Sequence, residues 1–100
     1  MRFFVVAGSP AAQQPHGLAP GPEDRVIAAD FGAQHALRWG WRVDLLVGDL
    51  DSLPADTARG LEASGVEVLR ARAAKDETDT ELAVARALEM GAEQIVICGA

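Results

Sequence analysis

The chain has 100 residues, 49% of them hydrophobic, and its 15 acidic against 9 basic side chains give a formal net charge of -6. That length supports one small domain, and the acidic balance excludes the basic face with which a phosphate-backbone binder displaces counterions, so no nucleic-acid partner is expected. A single cysteine, Cys98, excludes an intrachain disulfide, and with only His16 and His35 beside it a zinc site is not expected either.

The opening MRFFVVAG has one basic residue and an apolar run too short for a signal-peptide core or a membrane span, so the expected protein is cytoplasmic with no membrane partner. Its FFVVA, residues 3–7, predicts a first strand. Residues 8–24 then carry four prolines and three glycines, which forbid a long helix and predict an irregular loop. A flap over a site and a tolerated surface insertion both fit that loop.

RVIAA, residues 25–29, predicts a second strand, and FGAQHALRWG, residues 31–40, a short helix ending near Gly40. His35 is expected on the solvent side of that helix. Trp39 and Trp41 are expected to make a hydrophobic contact at its end in preference to stacking on a ligand ring. A third strand follows in VDLLV, residues 43–47, and then a helix within SLPADTARGLEASG, residues 52–65, with Ser52 as a cap candidate, Pro54 near the first turn and Gly65 as the stop.

VEVL, residues 66–69, predicts a fourth strand. In TDTELAVARALEMG, residues 78–91, Thr78 and Glu81 fit a capping box, Leu82, Ala85 and Leu88 share a face, and Gly91 can close the C-terminus. QIVIC, residues 94–98, predicts a fifth strand in which Cys98 is a small buried residue. These runs are mostly continuous rather than alternating, the pattern of strands covered on both faces. Strand and helix alternate with short connections, which predicts one α/β domain over residues 1–100, a Rossmann-like three-layer α/β/α fold with a mainly parallel sheet. Because the sequence stops where the fifth strand should hand over to its loop, the domain is expected to be incomplete at its C-terminus.

Three segments put carboxylates at predicted strand ends or helix starts: Asp30, then Asp49 and Asp51 in VGDLDS, then Asp76 and Asp79 in KDETD. A parallel sheet gathers all strand C-termini on one edge, so these side chains can converge. Clustered carboxylates repel unless a cation joins them. A hard ion such as Mg²⁺ takes one or two carboxylates, waters and the phosphate oxygens of a nucleotide, and it lets an acidic protein hold an anionic substrate. For the aspartate pair alone, a turn and helix cap is an equally good reading. Lys75, the only lysine, beside a helix N-terminus adds a second phosphate-favouring feature, although a solvated charged loop with a good cap also explains that run. No G-x-x-x-x-G-K-[ST], no G-x-G-x-x-G after a strand and no G-x-S-x-G around Ser9 or Ser52 is present.

Taken together, AADFGA, LLVGDLDSL and KDETDTELA, in that order and spacing, resemble the catalytic domain of thiamin pyrophosphokinases. The resemblance covers nearly all of the chain after residue 25. It implies transfer of the pyrophosphoryl group of ATP to the thiamin hydroxyl, giving thiamin diphosphate and AMP. By similarity, Asp49, Asp51 and Asp79 would be catalytic and hold Mg²⁺, while Asp30, Gly32, Ser52, Lys75, Asp76 and Thr78 would line the nucleotide and metal site. A homodimer is implied, since the family builds its thiamin pocket with a partner subunit and a C-terminal β-sandwich domain.

Phe31 stands where the family has glycine, where it could crowd a ligand, and Val43 where it has proline, a difference expected to affect only a turn. The family's G-G-R-x-D-H segment and β-sandwich lie outside these 100 residues, so the chain alone is expected to be inactive. Two further readings stand beside this one. A related pyrophosphokinase could act on another hydroxymethyl acceptor such as a reduced pterin, and a non-catalytic nucleotide-binding module could use the same fold.

Overall fold

In the computed structural model, which describes residues 1–10, 12–48, 53–70 and 79–99 (for Asp79 the backbone only), each apolar run becomes a strand. They are β1 (Arg2–Val6), β2 (Arg25–Ala29), β3 (Leu45–Gly48), β4 (Glu67–Arg70) and β5 (Gln94–Cys98), with α1 (Gly32–Arg38), α2 (Ala55–Ala63) and α3 (Asp79–Glu89) between them. All pairings are parallel, in the order β4-β3-β2-β1-β5. The register sets Val5 beside Ile27 and Ile97, and Val47 beside Ala29 and Leu69.

Because strand side chains alternate between faces, the continuous apolar runs of β1 to β3 feed two cores. Phe4, Val6, Val26, Ala28 and Leu46 pack with Ala33 and Ala36 of α1 and with Ala58 and Leu61 of α2. Phe3, Val5, Ile27, Leu45 and Val47 pack on the other face with Ala83 and Ala87 of α3. The expected three-layer α/β/α arrangement is thus formed. The outer strands are less covered: Ile97 of β5 is 50% exposed and Leu69 of β4 40%, because α3 runs over β1, β2 and β3.

Two packing expectations are corrected. The face that α3 turns to the sheet is Ala83 and Ala87, with Leu82 and Val84 alongside, whereas Ala85 is exposed and Leu88 is 60% exposed. Small residues one turn apart let the helix lie close over the strands, and the larger leucine is left outside. Val43 does more than shape a turn, since it is buried in the core beneath α1 and α2. Cys98 is buried as expected, and burial pushes its thiol above the ordinary range.

All three helices stop alike. The N–H groups of Trp41, Val66 and Ala92 return to the carbonyls of Ala36, Leu61 and Ala87, across Gly40, Gly65 and Gly91 in left-handed conformations. This is the Schellman closure, which satisfies last-turn carbonyls at a residue type without a Cβ penalty. At the start of α2 the N-cap is Pro54, with extended backbone and no side-chain cap, while the cap candidates Ser52 and Thr78 lie outside the described residues. Among the described residues no helix is long and apolar enough to cross a membrane.

The N-terminal edge of the sheet is closed by charge pairing. Arg2 donates to Asp24 from Nη2 at 2.8 Å, and the Gly21 N–H donates to the same carboxylate at 2.8 Å, anchoring the long loop before it enters β2. Arg42 reaches back to the Asp24 carbonyl, and Asp44 accepts the Val26 N–H at 2.8 Å. The Arg2 hydrogen bond, then the Gly21 N–H, hold the Asp24 carboxyl below its ordinary range. A carboxyl lowered on folding stabilises the protein above its unfolded pKa, and the contribution disappears as pH falls through the folded value. Melting temperatures of wild type and Asp24→Asn should therefore differ modestly at neutral pH, with wild type higher, and converge below about pH 4. A gap that persists undiminished in acid would mean that the carboxylate charge contributes nothing.

Candidate functional site

The C-terminal edge of the sheet is built around the turn from β2 into α1. Asp30 follows β2 directly; its N–H donates to the Val47 carbonyl of β3 at 2.8 Å, and its own carbonyl accepts the Ala33 N–H at 3.2 Å. Holding both bonds requires a left-handed backbone, φ 49°, and Asp30 is the one non-glycine described residue with positive φ. Such a conformation costs an ordinary L-residue on the order of 1–2 kcal/mol, although aspartate is among the residues that tolerate it. Asp30 Oδ1 is buried and has no hydrogen-bond partner among the described residues. A buried acceptor without a donor is costly, and it is the kind of group that a cation or a ligand hydroxyl satisfies.

Gly32 explains why the turn takes this course. A Cβ there would lie 1.9 Å from the Val6 carbonyl oxygen and 2.7 Å from its carbon, so only glycine lets the first turn of α1 press against the end of β1. Gly8, just after β1, packs under Phe31 with similar economy: its Cβ would be 3.1 Å from that of Phe31. Thr57 Oγ1 donates to Gln34 Oε1 at 3.0 Å, tying the first turns of α2 and α1 together at this edge.

The Ala29–Val47 pair brings Asp30 level with the end of β3. Asp49 and Asp51 follow Gly48 in the chain, but they lie outside the described residues, as do Ser52, Lys75, Asp76 and Thr78. Asp79 is described by its backbone alone, at the first position of α3. Of the expected site, then, Asp30 and Gly32 are brought together at one edge. Among the described residues no group of three or more His, Cys, Asp or Glu side chains could hold a metal ion.

His35 departs from expectation. It is 3% exposed, its ring between Phe31 (centroids 5.2 Å apart, edge to face) and Trp39 (6.0 Å, near-parallel). Trp39 in turn meets Trp41 at 5.0 Å, and Trp41 meets Phe4 at 5.4 Å, so the tryptophans serve the core as expected. His35 is inside because Phe31, His35 and Trp39 recur every four residues on one face of α1, and the first loop crosses over that face: its Nε2 lies 2.8 Å from the Ser9 carbonyl. That aromatic spacing was the available signal for a buried stripe. Phe31 carries its ring against His35.

The family model for the thiamin pyrophosphokinase catalytic domain matches residues 22–100. The chain belongs to this family of kinase-type transferases. It is similar in structure to a thiamin pyrophosphokinase family protein from Enterococcus faecalis, with 32% identity, a TM-score of 0.77, and coverage of 95% of this chain and 46% of that one. Thiamin pyrophosphokinase from Geobacillus thermodenitrificans gives 31% identity and a TM-score of 0.69 over 97% of this chain and 46% of its own. The Bacillus subtilis protein gives 28% and 0.73 over 99% and 47%. No curated protein sequence matches the chain. The chain therefore spans less than half the length of these solved relatives.

The close approach at Gly32 makes a sharp mutational test. Gly32→Ala should destabilise the protein by about 3 kcal/mol or more, because backbone at both ends of the clash must move. Gly60→Ala, where a Cβ meets nothing within 4 Å, should be neutral or stabilising. Denaturant midpoints of the two variants check this, and equal midpoints would show that the α1 turn is not packed as described.

Proposed function

We propose that the C-terminal sheet edge binds Mg²⁺ and ATP, and that a protein carrying this domain transfers the pyrophosphoryl group of ATP to the hydroxyl of thiamin. Membership of the thiamin pyrophosphokinase family supports the reaction class. The observation that carries the site is Asp30, held in a left-handed turn with a buried carboxylate oxygen that has no donor among the described residues.

In this reading Asp49, Asp51 and Asp79 hold the Mg²⁺, and Asp30, Gly32, Ser52, Lys75, Asp76 and Thr78 line the nucleotide. An all-oxygen donor set suits a hard cation, and the orphaned oxygen of Asp30 fits the same environment. When bound, the ion supplies charge neutralisation at the phosphoryl oxygens. Lys75 would pair with phosphate charge, and Asp30 would accept a hydrogen bond from the nucleotide or a metal-bound water. Gly32, by letting the first turn of α1 press against the end of β1, would set the backbone that the nucleotide meets. The thiamin oxygen forms its bond to the β-phosphorus as the bond from that phosphorus to the bridging oxygen of AMP breaks, and the hydroxyl proton passes to a carboxylate or to solvent. Most of the rate would come from alignment and electrostatics, since phosphoryl transfer asks little covalent chemistry of the protein.

The thiamin pocket, the homodimer that completes it and a cytoplasmic location are further parts of the proposal. Because the chain covers under half of each solved relative, turnover is proposed for a longer form. AMP release with thiamin as acceptor, at matched concentrations, should be detectable for a form extended beyond Ala100 and at background for residues 1–100. Equal rates would mean that the acceptor site has been misplaced.

Calorimetric titration of ATP with and without Mg²⁺ separates ligands from turn residues. Asp49→Asn and Asp51→Asn keep cap and turn chemistry but remove charge, so Mg²⁺-dependent affinity should fall roughly tenfold or more. Asp30→Asn, which still tolerates the left-handed turn, should weaken affinity while stability without metal holds or rises. Unchanged Mg²⁺-dependent affinity in all three variants would return these aspartates to structural roles.

A further inference from the structure

The strand order changes direction beside β1: β2, β3 and β4 extend to one side of it, and β5 lies on the other. In open α/β sheets the crevice beyond such a switch point, between the ends of β1 and β5, is the usual place for a ligand. Here the chain's own first loop occupies it. The Ala7 N–H donates to the Cys98 carbonyl at 2.7 Å and the Ser9 N–H to the Gly99 carbonyl at 3.1 Å, so the loop continues the β1–β5 pairing past both strand ends. Gly99 is covered closely, since a Cβ there would lie 2.8 Å from the Ala7 carbonyl oxygen and 2.9 Å from the Ala12 Cβ.

One side chain fastens this segment to the helix layer. His35 Nε2 lies 2.8 Å from the Ser9 carbonyl, which also accepts the Ala12 N–H at 3.1 Å. A carbonyl only accepts, so Nε2 must carry the proton. Nδ1 is buried without a partner among the described residues. The ring cannot swing away, being held between Phe31 and Trp39. Phe31 is also the residue next to Asp30 and the one against which Gly8 packs.

We propose that His35 is a positioning residue: by donating from Nε2 to the Ser9 carbonyl it holds the first loop across the switch point, and so confines nucleotide binding to the β2–β3 side of the edge, where Asp30 lies. This deepens the assignment of that edge as the Mg²⁺ and ATP site and rests on it. The His35 hydrogen bond does not touch the nucleotide; it sets the wall against which the nucleotide is seated.

The test uses wild type, His35→Leu, which fills the cavity without a donor, and His35→Gln, whose amide nitrogen reaches as far as Nε2. Ring nitrogen NMR of wild type should show the proton on Nε2; a ring carrying its proton on Nδ1 alone would overturn the proposal. In His35→Leu, amide exchange at Ser9 and Ala12 should accelerate, and Mg²⁺-ATP affinity should fall, each by roughly tenfold, the scale of one lost hydrogen bond. In His35→Gln both should return to within about threefold of wild type, a rescue that loss of packing alone would not produce. Binding by wild type with equal affinity in all three proteins would overturn the positioning role and leave the nucleotide assignment standing. Absence of Mg²⁺-ATP binding by wild type would overturn both.

Discussion

Three central strands with no polar face constrain everything else in this protein. Because β1, β2 and β3 are apolar at every position along their cores, each must be covered on both sides, and parallel pairing with helical crossovers is the economical way to do so. Once the strands are parallel, their C-terminal ends share an edge, and every loop leaving a strand starts from that edge. The convergence of Asp30 with the end of β3 is therefore a consequence of hydrophobic burial and not of any local attraction between carboxylates.

The two sheet edges then divide the charges. At the N-terminal edge Asp24 and Asp44 are matched with Arg2, Arg42 and backbone N–H groups, so those carboxylates have partners within the chain. At the C-terminal edge Asp30 sits in a conformation that costs free energy and keeps an oxygen without a donor. Among the described residues, then, the aspartates of one edge are partnered and the one at the other edge is not. Binding of a cation or nucleotide there would relieve the deficit, and the switch-point crevice beside it is already taken by Ser9 and its neighbours.

How much of this was legible beforehand follows from the physics of each element. Continuous apolar runs announce strands, and β2, covered on both faces, and β5, at the less covered edge, both fall on the residues expected for them. Helix ends were legible because Gly40, Gly65 and Gly91 occupy the left-handed position that few other residues accept. The face of α3 was not, because alanines that approach a sheet closely score lower in a hydrophobic pattern than the leucines they leave outside. The burial of His35 is hidden for a related reason: it depends on a loop from a distant part of the chain, although the spacing of His35 from Phe31 and Trp39 marks an aromatic face. For the site, the family resemblance of three motifs was legible and is matched over residues 22–100, but their ligand roles depend on side chains of Asp49, Asp51 and Asp79 that lie outside the described residues.

The central claim is that a divalent metal nucleotide seats at the C-terminal edge beside Asp30. Paramagnetic Mn²⁺ in place of Mg²⁺, added with ATP to isotope-labelled protein, reports the position of the ion directly through distance-dependent broadening of backbone amide signals. Asp30, Gly32 and Gly48 should broaden first, while Arg2, Asp24 and Asp44 at the opposite edge stay sharp. Broadening centred on that opposite edge, or no ATP-dependent broadening anywhere in the chain, would contradict it.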